Sequence, residues 1–198
     1  MTPESKTAKE FPKIIPLKRT GGELRFTEPT FANANALFNL VKTNRKHLLP
    51  WLEWASEKIT KSAEDSFRFL DRSSQKWKCG TTFDFGIFLS GALVGRMGVI
   101  NVDADNKSAE IGYWLAKDAV GKGLVSAGVN AFEEKMFRRD FNRLYIRCDK
   151  LNTASAAVAR RCGYVLEGEL REEHYIKSED RFRTTLMFSK LAREFERQ

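Results

Sequence analysis

The chain has 198 residues, 42% of them apolar and 30% charged, a balance that fits one soluble globular domain with a core of its own. Its 34 Lys and Arg outnumber 26 Asp and Glu for a net charge of +8, which favours anionic partners, yet the basic residues are scattered in short clusters such as Arg138-Arg139 and Arg160-Arg161, so a dedicated nucleic-acid stripe is not expected. Three cysteines (Cys79, Cys148, Cys162) without C-x-x-C spacing and two distant histidines (His47, His174) argue against a disulfide framework or a metal site, and with no signal-length or ~20-residue apolar run the expectation is a cytoplasmic protein with no membrane contact.

Taken in chain order, residues 1–20 read as a flexible lead-in that mixes Lys, Glu and Pro. Leu24 to Glu28 is a short predicted strand, stopped by Pro29. Thr30 then caps a helix through Ala34, Leu37, Phe38 and Val41, which Pro50 breaks. In the run Leu48-Leu49-Pro50-Trp51-Leu52-Glu53-Trp54, the tryptophans Trp51 and Trp54 have an ordinary reading as core and a functional one as the wall of a substrate groove or a homodimer contact. Ser62, with Glu64 and Asp65 in the first turn, opens a second helix to about Lys78. Phe83 to Leu89 and Leu93 to Val102 are strand-like, and Ser90-Gly91 between them is a hairpin signal.

The stretch from Glu110 to Phe137 organises the rest. Glu110 to Ala116 carries Ile111, Tyr113, Trp114 and Leu115, a β-branched and aromatic run of strand length. From Leu124 the residues Val125, Val129, Phe132 and Met136 recur at helical spacing. Between them Gly121-Lys122-Gly123 leaves the first amides of the helix open to an anion, with the helix dipole adding partial positive charge, so the turn is a candidate pyrophosphate cradle. A short G-x-G taken alone is more often a tight turn. It matches neither the G-x-x-x-x-G-K-[ST] loop nor the G-x-G-x-x-G fingerprint, so nucleotide hydrolysis and dinucleotide binding lose their usual support.

Arg143 to Asp149 then alternates as a half-exposed strand, with Leu144, Ile146 and Cys148 on one face. Asn152 caps a short helix from Thr153 to Cys162, closed by Gly163 in the left-handed position. Tyr164 to Arg171 and Phe182 to Leu191 are the last predicted strands, joined by a charged connection with Glu172, Glu173, His174 and Tyr175. The order implies a single mixed α/β domain over residues 21–198.

Leu49-Pro50-Trp51-Leu52-Glu53-Trp54, Glu110-Ile111-Gly112-Tyr113-Trp114-Leu115, Gly121-Lys122-Gly123, Asn152-Thr153-Ala154-Ser155, Cys162-Gly163-Tyr164 and Glu167-Gly168 are each weak marks, but their order and spacing together are specific. From about Leu24 to Leu191 the chain resembles the GNAT superfamily of acyl-CoA-dependent N-acetyltransferases, in the branch named for the ribosomal-protein acetyltransferases RimJ and RimL. The resemblance implies a mixed, mostly antiparallel sheet of about seven strands with helices on both faces. It implies acetyl-CoA as cofactor, its pyrophosphate held by main-chain groups of Gly121, Lys122, Gly123 and Leu124, its pantetheine arm by Asn152, and its thioester flanked by backbone of Trp114 and Leu115 at a strand bulge. Val120 stands where the family usually has Gln or Arg, and Val125 where it has a small residue.

The implied chemistry is acetyl transfer to an amine, which needs a neutral amine, donors for the developing oxyanion and a proton for the departing thiolate. Many relatives place a tyrosine seven residues after the asparagine; here that residue is Ala159, and the resemblance implies that Ser155 takes the part of general acid in its place. Glu110 and His174 are the candidate bases, His174 standing where the branch tends to have glutamate, with its neighbour Glu172 or Glu173 as the alternative for that substrate carboxylate. Trp51, Trp54, His174 and Tyr175 are the candidate acceptor-binding residues. The acceptor is expected to be the amino terminus of a protein or peptide, with a small amine or antibiotic as the alternative and a non-catalytic coenzyme A or RNA-binding module as the reading of another class.

Overall fold

The computed structural model describes residues 11–177 and 179–195. Its elements in chain order are β1 (Ile14–Leu17), β2 (Gly22–Phe26), α1 (Phe31–Leu48), α2 (Ala63–Cys79), β3 (Phe83–Leu89), β4 (Ala92–Asp103), β5 (Ser108–Leu115), α3 (Leu124–Phe137), β6 (Arg143–Asp149), α4 (Thr153–Arg161), β7 (Val165–Ile176), β8 (Arg181–Leu191) and α5 (Ala192–Phe195). Eight strands form one sheet in the order β1-β2-β3-β4-β5-β6-β8-β7, antiparallel throughout except where β5 meets β6. The expected count of about seven falls short by β1. That strand lies inside the expected lead-in, where Ile14 to Leu17 pair with Arg25 to Gly22; residues 1–10 of that segment lie outside the described residues.

The local signals explain the elements. Thr30 caps α1 by accepting from the Asn33 amide, and Ser62 and Asp65 form a capping box on α2, each worth about 1 kcal/mol. Ser90 and Gly91 both have positive φ, 51° and 80°, the two-residue turn that suits the twist of a hairpin.

Helices cover both faces. On one, Gly128 of α3 lies so close to the sheet that a Cβ there would meet Met97 Sδ at 2.1 Å, and Phe132 packs on Phe85 within a core that also takes in Ala156 and Ala159 of α4. On the other face, α2 joins the sheet through a buried polar cluster, Ser73 Oγ donating to Asp84 at 3.1 Å and Arg96 pairing with Asp84 at 2.6 Å. Removing one member of such a pair strands a buried charge. A second apolar cluster of Ala34, Leu37, Val41, Leu48, Ala55 and Leu70 binds α1 to α2. Among the described residues no helix is long and apolar enough to cross a membrane, and no cluster of ligating side chains could hold a metal ion.

Candidate active site

The parallel seam of the sheet is short. Ser108 pairs with Arg143, Ala109 with Leu144 and Glu110 with Tyr145, and there the pairing stops. β5 runs on to Leu115 and β6 to Asp149, so the two strands part into a V. A cavity of about 790 Å³ occupies the opening. Because side chains alternate along a strand, Tyr113, Leu115 and Cys148 face α3 and α4, whereas Glu110, Trp114 and Arg147 face the side of α1 and α2. All six line the cavity, which therefore connects the two faces of the sheet.

On the α3 side, the cavity reaches the glycine turn. Gly121 and Gly123 have φ of 82° and 74°, a region open to glycine at little cost, and both line the cavity together with Leu124. Asn152 caps α4 by accepting from the Ser155 amide at 3.0 Å, as Thr30 and Ser62 cap α1 and α2, but α3 has no side-chain cap and no acidic residue in its first turn. Its first amides are thus left for an anion. Arg161 of α4 adds a formal charge beside them, its Nε donating to Ser126 Oγ at 3.1 Å, and both residues line the cavity. Lys122 is exposed and does not line it.

Nearer the vertex, Asn152 and Ser155 line the same wall as Tyr113, whose hydroxyl lies 3.0 Å from Ser155 Oγ. β5 stays in register with β4 from Glu110 to Leu115, and the irregularity in that ladder falls between Ile100 and Asp103 rather than at Trp114-Leu115. The Ala116 amide donates to Val94 at 2.8 Å, and a Cβ on Gly95 would meet the Trp114 carbonyl at 2.3 Å, so Trp114 turns its backbone to β4. By the alternation of an antiparallel ladder, the amides of Tyr113 and Leu115 face the opened seam.

On the opposite face Glu110 accepts from Asn101 Nδ2 at 3.0 Å. Burial raises its carboxyl above the ordinary range, outweighing the Asn101 hydrogen bond and the charge of Arg147. Glu173 is the reverse case. Thr185 Oγ1 donates to it at 2.7 Å and Arg147 at 2.8 Å, which hold its carboxyl below the ordinary range.

A model of the acetyltransferase (GNAT) domain matches residues 23–165. The chain belongs to the GNAT acetyltransferase family. It is 31% identical over 87% of its length to a putative ribosomal N-acetyltransferase, YdaF, of Bacillus subtilis, covering 92% of that protein. It is 29% identical over 71% of its length to the ribosomal-protein-serine acetyltransferase of Escherichia coli, covering 78% of it. Among solved structures, RimL, a ribosomal alpha-N-protein acetyltransferase in complex with coenzyme A, superposes with a TM-score of 0.82 at 29% identity over 90% of this chain and 97% of that one. The protein is an acyltransferase of the acetyl-CoA-using class, and the uncapped α3 terminus, the paired glycines and Arg161 suit a pyrophosphate-bearing cofactor.

The remaining sequence candidates of this GNAT domain divide. Trp51 lines the seam cavity, whereas Trp54 lines a separate cavity of about 380 Å³ between α1 and α2 and packs on Trp114 with ring centroids 5.6 Å apart. His174 and Tyr175 belong to β7, which runs through the expected charged connection, and neither lines the seam cavity. His174 Nε2 lies 3.0 Å from Glu53 Oε2, linking β7 to the Trp51–Trp54 segment, and Tyr175 donates to Asp180 at 2.6 Å. The sequence pattern gave no site role to Tyr113, Ser126, Arg161, Arg147 or Arg183, all of which line the seam cavity. The basic end of α4 was a signal for Arg161; the others depend on contacts between distant segments.

Proposed function

We propose that this enzyme acetylates the amino-terminal amine of a protein or peptide, a ribosomal protein first among them, by direct attack in a ternary complex. The observation that carries this reading is the cavity through the parted seam, with a cofactor wall on one face of the sheet and Glu110 on the other. The relatives named for ribosomal-protein acetylation support the choice of acceptor, and that acceptor sets the place of action in the cytoplasm.

When bound, acetyl-CoA supplies an acetyl group activated as a thioester. Gly121, Gly123, Leu124 and Arg161 would hold its pyrophosphate end, and Asn152 its pantetheine arm. Glu110, its affinity for a proton raised by burial, takes the proton of the attacking amine directly or through water. The amides of Tyr113 and Leu115 donate to the developing oxyanion. Ser155 Oγ delivers a proton to the departing sulfur. Cys148, the one cysteine among the lining residues, is kept as a thiol by burial, which favours direct attack over an acyl-cysteine intermediate.

An acceptor panel tests the proposal. Thiol release from acetyl-CoA is followed with Ser- and Ala-initiated peptides, the same peptides blocked at the α-amine but carrying lysine, free amino acids and aminoglycosides. Turnover confined to free α-amines of peptides is the expected result. Turnover on small amines alone would replace it with the small-molecule reading.

A further inference from the structure

Ser155 does not stand alone in the cavity wall. Tyr113 reaches it from β5, across 42 positions of sequence, with its hydroxyl 3.0 Å from Ser155 Oγ and 3.3 Å from the Ser155 carbonyl oxygen. Both residues line the seam cavity on its cofactor face. The Asn152 cap fixes the Ser155 amide at 3.0 Å, so the serine is held from its backbone by α4 and from its side chain by the strand. Ala159, one turn further along α4, is fully buried and carries no hydroxyl.

We infer that Tyr113 is a positioning residue that donates its hydroxyl hydrogen bond to Ser155 Oγ, so that the serine proton is aimed at the departing sulfur. This rests on the proposed acetyl transfer. An alcohol is a weak acid, and a donor at its oxygen stabilises the negative charge that grows there as its proton leaves. The step balances. The amine-to-carbonyl C–N bond forms as the C–S bond breaks, and the Ser155 proton passes to sulfur. Ser155 Oγ recovers a proton from water in the open cavity, while Tyr113 keeps its own and only donates its hydrogen bond. Glu110 meanwhile holds the proton released by the amine and returns it to solvent, so no net acid is consumed. Burial drives the Tyr113 ionisation far above the usual tyrosine range, which keeps the hydroxyl protonated as a standing donor whenever the enzyme works.

The test is a double-mutant cycle of Tyr113→Phe and Ser155→Ala with two readouts: steady-state acetyl transfer, and thermal unfolding of the cofactor-free protein. The expected result is that Tyr113→Phe lowers kcat about tenfold to a hundredfold while KM for acetyl-CoA moves less than about threefold. The double variant should be no slower than Ser155→Ala, and the two losses of thermal stability should be less than additive. Wild-type kcat in Tyr113→Phe, or additive losses in both readouts, would overturn the inference while leaving acetyl transfer intact. A Ser155→Ala variant of normal kcat beside an inactive Tyr113→Phe would also overturn it, by making the tyrosine itself the acid. A wild type that transfers no acetyl group would fail the underlying reading instead, and the unfolding cycle would still report whether the two hydroxyls are coupled.

Discussion

Glu110 and Tyr145 are the last residues paired across the parallel seam of the sheet, and the opening that holds the cavity of about 790 Å³ begins at that pair. A carboxylate at the vertex of the V is both desolvated and next to the cavity. Its proton affinity should therefore appear in the pH profile. Protonated Glu110 cannot accept from the amine, so kcat/KM falls as pH drops through its raised pKa, and the acid limb lies above the ordinary glutamate value of ~4.3. Glu110→Gln should cost about 10²–10⁴-fold in kcat/KM and remove that limb. A carboxyl with a raised folded-state pKa favours the fold less as pH rises, so the same variant should lose no thermal stability at alkaline pH.

Gly123→Ala places a Cβ at φ 74° in the turn before α3. The strain should lower stability by about 1–2 kcal/mol in denaturant unfolding and raise KM for acetyl-CoA, because the proposed cradle is made of backbone.

Arg161→Ala removes the charged side chain beside the uncapped helix end, leaving Ser126 Oγ without its donor. Coenzyme A should bind about tenfold more weakly in calorimetry, and the difference from wild type should shrink with added salt.

The positive φ of the glycine turn, the caps of α1, α2 and α4, and the placement of Glu110 in a strand were legible in the sequence because each depends on neighbours close in the chain: glycines at a turn, a side-chain oxygen two or three residues before an amide, a β-branched and aromatic run. β1 was not, since Ile14 to Leu17 is four residues long, contains Pro16 and owes its extended form to pairing with β2. β7 was cut short because all but its last residue is exposed and no apolar alternation marks it; the second of its two register irregularities, between Leu170 and His174, falls on the charged stretch that read as a connection. The Tyr113–Ser155 contact and the His174–Glu53 contact span 42 and 121 positions, a separation that no local pattern reports.

That last contact bears on His174. Because its partner is Glu53 and it stands outside the cavity wall, His174→Gln should leave kcat within about threefold of wild type, the scale of an exposed pair. Its effect should fall on KM for the peptide, through the Trp51–Trp54 segment that Glu53 belongs to. Steady-state kinetics with a saturating acetyl-CoA concentration separate the two parameters.

The placement of the cofactor in the parted seam is tested most directly by amide hydrogen exchange with and without acetyl-CoA. The account predicts added protection at residues 113–115, 120–126 and 152–155, with the second cavity, lined by Ile59, Phe69 and Arg72, unchanged. Protection centred on that second cavity, or none at the glycine turn, would contradict it.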